Sequence, residues 1–86
     1  MGKMTADKAR SALIELREQE IKPNYPDADP ARGLLRKSMI DELLRAKPTT
    51  EAEFRVRVRR DLREATDGEQ FQKYIVKVFD ILDRLP

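Results

Sequence analysis

The sequence predicts an all-α fold: a compact bundle of four short helices, or five if an extra turn forms at residues 24–29, around the C-terminal helix. Apolar residues in the last segment recur every three or four positions, which is the spacing of one helix face. Earlier segments show the same spacing, and the single alternating stretch has no second strand to pair with. The apolar stripe of the last helix consists of Phe71, Ile75, Val78, Leu82 and Leu85.

Chain length and composition limit the function. At 86 residues the chain, residues 1–86, is a single domain that hides only about 60–65% of its unfolded surface. It has no cysteine and no histidine, which excludes thiolate and imidazole catalysis and nearly every zinc site. Ser11 and Ser38 have no imidazole to activate them. We therefore expect a non-catalytic domain without a cofactor or a metal.

The cellular location is predicted from what the chain lacks. No segment approaches the run of about 20 apolar residues that crosses a membrane, and the N-terminus has no signal-peptide core. The sequence predicts a cytoplasmic protein with no membrane partner. Its last helix is expected to end at Leu85-Pro86, which is consistent with a domain excised from a longer protein.

The first helix is predicted at residues 6–20. Thr5 is the expected N-cap, because its hydroxyl can accept a hydrogen bond from a free amide of the first turn. The apolar residues that follow share one face and are Ala6, Ala9, Leu13 and Leu16.

Three prolines between Pro23 and Pro30 predict a stiff connection, because proline lacks an amide donor and restricts the residue before it. Asp29 and Pro30 are the expected N-cap and first residue of a second helix. This helix is predicted to end at Lys47, before Pro48.

A third helix is predicted to run without a break from a capping box at Thr50 and Glu53 to Ala65. Residues 54–59 alternate between apolar and basic side chains, which is typical of a strand. Helix is favoured because the capping box precedes this stretch and no partner strand exists. The buried edge of the third helix is expected to be Phe54, Val58, Leu62 and Ala65.

The last helix is predicted to begin after a second capping sequence, in which Asp67 and Gln70 have the required spacing. Its heptad-like stripe spans little more than two heptads, and a coiled coil usually needs three or four. We therefore expect an internal core and a monomer.

Positive charge is concentrated in the middle of the chain. Residues 31–63 hold ten Lys/Arg and five Asp/Glu, whereas the flanking segments have a slight excess of acidic residues. Such an asymmetry indicates an anionic partner. If residues 50–66 form one helix, its arginines fan over the side opposite the buried edge and can hold several phosphates. These arginines are Arg55, Arg57, Arg59, Arg60 and Arg63, and Arg36 and Lys37 extend the set on the second helix.

The alternative for these arginines is pairing within their own helix. Glu53, Asp61 and Glu64 lie three or four residues from several of them, which is the spacing of intrahelical ion pairs. In that case the surface is solvated and largely neutral.

Tyr25 lies between two prolines, where a rigidly held ring could stack on an unpaired base, an interaction worth about 1–3 kcal/mol. The alternative is that the ring caps the core or packs on Pro23 and Pro26.

Asp27 and Asp29 in the same segment are two carboxylates without a third ligand, so they do not predict a metal site.

Several short motifs resemble those of the helicase-and-RNase-D C-terminal (HRDC) domain, a helical bundle appended to helicases and nucleases. The run from Leu13 to Arg17 resembles its first-helix pattern, and Pro23-Asn24-Tyr25 resembles its Pro-Pro-Tyr turn. The run from Leu43 to Glu51 is similar to the end of its next helix, and Gln72-Lys73-Tyr74 to the start of its final helix. The resemblance implies an auxiliary DNA- or RNA-binding module without catalysis, in which Tyr25 and Lys73 contact the nucleic acid.

Two functional hypotheses follow. The first is a non-catalytic module that contacts the backbone of single-stranded or branched DNA or RNA through the arginine-rich third helix. The alternative is a protein-interaction or assembly domain, in which the same basic face meets an acidic partner or Val56 belongs to a docking patch.

Overall fold

The computed structural model describes residues 4–66 and 68–85, which form five helices and no strand and so confirm the predicted all-α bundle. The first helix is continuous and consists of α1 (Ala6–Leu16), a π-helical turn (Arg17–Ile21) and α2 (Lys22–Asn24). A short 3-10 turn (Pro30–Arg32) follows. The remaining helices are α3 (Lys37–Ala46), α4 (Glu51–Arg57), α5 (Arg60–Glu64) and α6 (Gly68–Asp83).

The last helix, α6, contributes the largest share of the buried residues among the described helices, as expected for the centre of the core. Its buried residues are Gln70, Tyr74, Ile75, Val78 and Leu82. Leucines of α1, α3 and the turn before α3 pack in the same cluster with Phe54 and Val58. The helix begins at Gly68, earlier than the predicted Phe71, and the capping role assigned to Asp67 lies outside the described residues.

The start of α1 is as predicted. The hydroxyl of Thr5 accepts a hydrogen bond from the amide of Lys8 at 3.2 Å, which confirms the N-cap. Leu13 and Leu16 are buried on the predicted face, whereas Ala6 is exposed.

The predicted end of this helix near residue 20 is wrong, because helical structure continues to Asn24. Before Pro23 the helix widens to π geometry, and the amide of Lys22 donates to the carbonyl of Arg17. A proline ring lacks a donor and crowds the carbonyl four residues back in a regular α-helix, so a wider turn accommodates it. The helix therefore carries the chain directly to Tyr25.

The second helix begins later than predicted. The carboxylate of Asp29 accepts a backbone amide two residues on at 2.9 Å, but it caps the short 3-10 turn and not the α-helix. The α-helix starts at Lys37, after a turn that buries Leu34. Gln70 of α6 stabilises this turn, because its side-chain oxygen accepts the amide of Leu34 at 3.1 Å.

The end of α3 is as predicted. Lys47 adopts a left-handed conformation with φ of 51°, and its amide donates to the carbonyl of Leu43 at 2.8 Å. Pro48 follows and prevents the helix from continuing.

The prediction of one unbroken helix over residues 50–66 is wrong. The chain forms α4 and α5 with an extended step between them, where ψ is 136° at Val58 and 137° at Arg59. The predicted capping box is half formed: the Thr50 hydroxyl accepts the Glu53 amide at 3.1 Å, whereas the Glu53 carboxylate bonds to Thr49. The predicted buried edge is nevertheless confirmed at Phe54, Val58 and Leu62, whereas Ala65, at the end of α5, is only half-buried.

Side chains from α3 satisfy the backbone at the break between α4 and α5. Glu42 is only 6% exposed, and its carboxylate accepts the amide of Arg59 at 2.9 Å. Arg45 donates to both oxygens of Glu42, at 2.6 and 2.8 Å, and to the carbonyl of Arg57 at 3.1 Å. The β-branched valines of this stretch weaken helix, and the polar groups freed by the break find partners on α3.

Replacing Glu42 by Gln is expected to lower the free energy of unfolding by about 2–3 kcal/mol, because an amide nitrogen would face the Arg45 guanidinium. Urea unfolding followed by circular dichroism measures the change. The matched control is Glu64→Gln, which removes an exposed carboxylate paired with Arg60 at 2.7 Å and is expected to change stability by less than about 0.5 kcal/mol. Equal effects of the two substitutions would show that Glu42 does not hold the break.

The ionisation of Glu42 is expected to make the stability of the fold depend on pH. Hydrogen bonds from Arg45 are the main cause that lowers the pKa of Glu42 below its ordinary 4.5; the amide of Arg59 adds to this, and burial opposes it. The pKa of Glu42 is lower in the folded than in the unfolded protein. Its contribution to folding stability is therefore fully present when the pH is above the ordinary pKa, and it is lost as the pH falls through the lowered pKa. The stabilities of wild type and Glu42→Gln should therefore converge in acid. A difference in the free energy of unfolding between the two proteins that stays constant from about pH 7 to about pH 3 would contradict this.

Candidate nucleic-acid interface

The arginines predicted to bind phosphate lie at the surface of α4 and α5, but carboxylates engage four of the five. The N–O distances are 2.8 Å for Arg55–Glu51, 3.4 Å for Arg57–Glu53, 2.9 Å for Arg59–Asp61 and 2.7 Å for Arg60–Glu64. Three of these pairs have the i, i+4 spacing of a helix. They are ion pairs of the kind that the sequence offers as the alternative to a phosphate site.

The fifth arginine, Arg63, is half-buried and donates through Nε to the carbonyl of Val58 at 2.9 Å. Residues 51–64 hold five arginines and four acidic residues, so this stretch carries a net charge of +1. Exposed ion pairs contribute only about 0–1 kcal/mol, so a phosphate can displace a carboxylate. The displaced carboxylate would then repel the same phosphate, and the net attraction of this surface for a polyanion is small.

Arg36 is held by the backbone instead of being presented to solvent. Its guanidinium donates to the carbonyls of Gly33 at 3.0 Å and Leu62 at 2.7 Å, and to the hydroxyl of Thr66 at 3.3 Å. Burial lowers the pKa of Arg36, and the charge of Asp61 opposes this effect. The side chain ties the turn before α3 to the end of α5.

A cleft of about 400 Å³ opens beside Tyr25, between the end of the first helix, the proline-rich segment and the turn before α3. We call it the Tyr25 cleft. Its aromatic and aliphatic lining includes Ile21, Tyr25, Leu34 and Leu35. Its charged lining is Arg17, Lys22, Asp29, Arg36 and Lys37. The fold thus brings together three of the residues nominated from the sequence, since Tyr25, Arg36 and Lys37 all border this cleft.

Tyr25 is half-buried and held at the wall of the cleft by α6. Its ring meets that of Tyr74 edge to face, with centroids 6.3 Å apart and an interplanar angle of 79°. Tyr74 is itself fixed, because its hydroxyl accepts a bond from Asn24 at 2.9 Å and donates to the carbonyl of Glu20 at 3.2 Å. The core-packing alternative for Tyr25 is therefore correct in part, yet the ring also lines the cleft.

Lys73, the remaining nominated residue, lies next to this aromatic pair. Its ammonium nitrogen is 5.7 Å from the ring centre of Tyr25 and 5.5 Å from that of Tyr74. Cation–π contacts of this kind at exposed sites contribute about 0.5–1 kcal/mol. The side chain is exposed, so its charge is accessible from solvent, although Lys73 is not itself a lining residue of the cleft.

Two of the cations that line the cleft are engaged by one carboxylate. Glu18 accepts bonds from Lys22 at 2.8 Å and from Arg17 at 3.0 Å, and these bonds lower its pKa, with Lys22 as the larger cause. Arg17 also donates to the carbonyl of Leu35 at 3.0 Å. Arg17 and Lys22 thus line the cleft, but their hydrogen bonds within the protein leave little of their charge available to a ligand.

Two of the cations without an acidic partner lie at the cleft or next to its aromatic wall. Within residues 4–66 and 68–85, the Lys and Arg side chains that make no ion pair or hydrogen bond are Lys8, Arg32, Lys37, Lys47 and Lys73. Of these, Lys37 lines the Tyr25 cleft, Lys73 lies 5.7 Å from the ring centre of Tyr25, and Arg32 belongs to the 3-10 turn that follows the lining residue Asp29.

Sequence reasoning missed Lys22 and Arg32. Lys22 stands three residues before Tyr25, and this proximity is a signal that could have found it. Arg32 lies in the 3-10 turn of residues 30–32, three positions after the lining residue Asp29, and no periodicity in the sequence indicates that turn.

Two further structural findings concern metals and membranes. In the described part of the chain, no three acidic residues come close enough together to hold a metal ion. None of the described helices is both long and apolar enough to cross a lipid bilayer.

Comparison with known protein families, curated proteins and solved structures gave no match for this chain. Function is therefore inferred from the geometry and chemistry of the chain's own residues.

Replacing Arg36 by Ala is expected to lower the free energy of unfolding by about 2 kcal/mol, because two backbone carbonyls lose a charged donor. Arg36→Lys should destabilise nearly as much, since an ammonium cannot reproduce the planar fork. Arg60→Ala, which removes an exposed guanidinium, should change stability by less than about 0.5 kcal/mol. Urea unfolding measures all three, and an unchanged stability of Arg36→Ala would contradict the structural role of Arg36.

Proposed function

We propose that this domain is a non-catalytic module that binds single-stranded nucleic acid, with the strand seated at the Tyr25 cleft. The observation that carries the proposal is a half-buried aromatic ring, packed on Tyr74, in the wall of a cleft that is lined by Lys37, a cation without an acidic partner; the ammonium of Lys73 lies 5.7 Å from the centre of the same ring. Sites for single-stranded nucleic acid combine these features, because bases stack on aromatic rings while cations follow the phosphates.

The ring of Tyr25 supports contact with a base. It is held by Tyr74 and by the end of the first helix, so little motion is lost when a base stacks on it. The cleft volume of about 400 Å³ lies within the range of pockets that hold small organic groups. Leu34 and Leu35 close the cleft but are fully buried, so a base would contact the half-buried ring of Tyr25 and the exposed lining residues Pro26 and Ala28.

Unpaired cations at the cleft and next to it support contact with phosphates. Arg32, Lys37 and Lys73 attract a phosphate without first breaking an ion pair. The arginines of α4 and α5 must first exchange a carboxylate for the phosphate, so we assign them a secondary part. This assignment moves the main contact from the arginine-rich helix predicted by the sequence to the cleft.

The proposed ligand is a single strand because a base in a duplex cannot enter a cleft of this kind without leaving its stack. Branched nucleic acid offers unpaired bases at its junction and falls in the same class. The resemblance to the HRDC domain favours the same type of partner. A monomeric state and a cytoplasmic location remain predictions.

A protein-interaction role is the second candidate, and two exposed apolar side chains favour it. Val56 is 84% exposed and Val76 is 72% exposed. Single apolar residues are normal on protein surfaces, so these two carry less weight than the cleft.

Replacing Lys37 and Lys73 together by Gln is expected to weaken binding of fluorescently labelled oligo(dT) about tenfold at low salt. The slope of log affinity against log salt should fall by about 1.4, because each phosphate contact on a single strand releases about 0.7 counterion. Fluorescence anisotropy at several salt concentrations measures both quantities.

The matched control is the double substitution Lys8→Gln and Lys47→Gln, which removes the same charge from two other unpaired lysines. Each lies about 14 Å along its helix from the cleft-bordering residues Arg17 and Lys37. The control should weaken binding less than about twofold. Equal losses in the two double variants would contradict the cleft as the contact surface, and so would a larger loss in Arg57→Ala/Arg60→Ala. A wild type that binds neither oligo(dT) nor a matching RNA at low salt contradicts the proposal and favours a protein partner.

A further inference from the structure

We infer that the Tyr25 cleft prefers guanine over the other bases of a single strand, and that the carboxylate of Asp29 makes this selection. The inference rests on the proposed function and deepens it by naming the base that the cleft holds. Three features carry it: the placement of Asp29, the sign of its charge and the pattern of donors on the bases.

Asp29 is positioned within the cleft by its own backbone turn. Its Oδ1 accepts the amide of Ala31 at 2.9 Å, which restrains the carboxylate. Its Oδ2 has no hydrogen-bond partner among residues 4–66 and 68–85, and the residue is exposed. One oxygen is thus free, and the other keeps a second lone pair for a ligand donor.

Asp29 is the single acidic residue in the lining of a cleft that four cations also line. A carboxylate at this point weakens the attraction for phosphate, so a site built for phosphate alone gains nothing from it. A group that offers hydrogen-bond donors gains from it directly. The nucleobases are the part of a nucleic acid that carries such donors.

Guanine matches a carboxylate better than the other bases do. Its N1–H and N2–H are adjacent donors on one edge, and both can reach the two oxygens of a carboxylate, which is acceptor-only when ionised. Adenine and cytosine present an amino donor beside a ring nitrogen acceptor, and thymine and uracil flank their one N–H with two carbonyls. Those acceptors would repel Asp29.

The geometry places stacking and edge contact in the same cleft. Tyr25 and Asp29 are both lining residues, as are the exposed Pro26 and Ala28 between them. A purine that stacks along Tyr25 would present its edge within the cleft, where Asp29 is the acidic group available to its donors.

The test compares short oligo(dT) strands of equal length that carry one central guanine, adenine or cytosine, or none, by fluorescence anisotropy. Wild type should bind the guanine strand about five- to tenfold more tightly than the others. Asp29→Asn should reduce this preference to less than about twofold, because the amide nitrogen repels one of the two guanine donors. The asparagine oxygen can still accept the Ala31 amide, so the turn is retained.

The matched control is Asp27→Asn, which removes the same charge from the same segment at a residue that does not line the cleft. It should keep the full guanine preference. If Asp29→Asn proves unstable in a thermal melt, Asp29→Ser offers another capping side chain without a carboxylate, and the same loss of preference is expected.

The outcomes separate this inference from the function on which it rests. If no strand binds to wild type, the proposed function fails and the guanine preference fails with it. If all strands bind equally, or if the preference survives in Asp29→Asn or is lost equally in Asp27→Asn, binding at the cleft stands and the role of Asp29 is overturned. Asp29 would then act only as the cap of the 3-10 turn.

Discussion

The edge-to-face contact between Tyr25 and Tyr74 holds the proline-rich segment against the last helix, and the Tyr25 cleft depends on this contact. The contact forms because helical structure continues past Pro23 and delivers Tyr25 to α6, where Asn24 also bonds to the Tyr74 hydroxyl at 2.9 Å. A ring fixed in this way is a preorganised surface, because a ligand that stacks on it loses little of the protein's conformational freedom. The cleft is therefore a property of the folded core and not of a loose connection.

Pairing decides which of the many charges can attract a ligand. Arginine is abundant in α4 and α5, but four acidic residues share the same stretch and leave a net charge of +1. Several of them lie one helical turn from an arginine, so the charges pair locally. In the lining of the Tyr25 cleft four cations face one acid, and Lys37 keeps no acidic partner; Lys73, next to the Tyr25 ring, keeps none either. A dense run of one residue type is thus a weaker indicator of a binding surface than the number of charges left unpaired.

The sequence predicted those features that depend on near neighbours along the chain. The apolar periodicity of α6, the cap at Thr5 and the buried edge of Phe54, Val58 and Leu62 were all predictable for this reason. The break between α4 and α5 was not, because it is stabilised by Glu42, a residue of another helix that is 17 positions away from Arg59. The cleft could not be predicted from the sequence either, because Tyr25 in its wall meets Lys73 only after the whole chain has folded.

The measurement that tests the central claim most directly is an NMR titration of isotopically labelled protein with oligo(dT), in which each backbone amide reports its own change in environment. The cleft interface predicts that the largest shifts fall on residues 21–37 and on residues near Lys73, with small shifts on α4 and α5. Shifts that centre on Arg55 to Arg63 would place the strand on the paired arginines and contradict the cleft. An unchanged spectrum at saturating oligo(dT) and low salt would contradict binding of a single strand altogether.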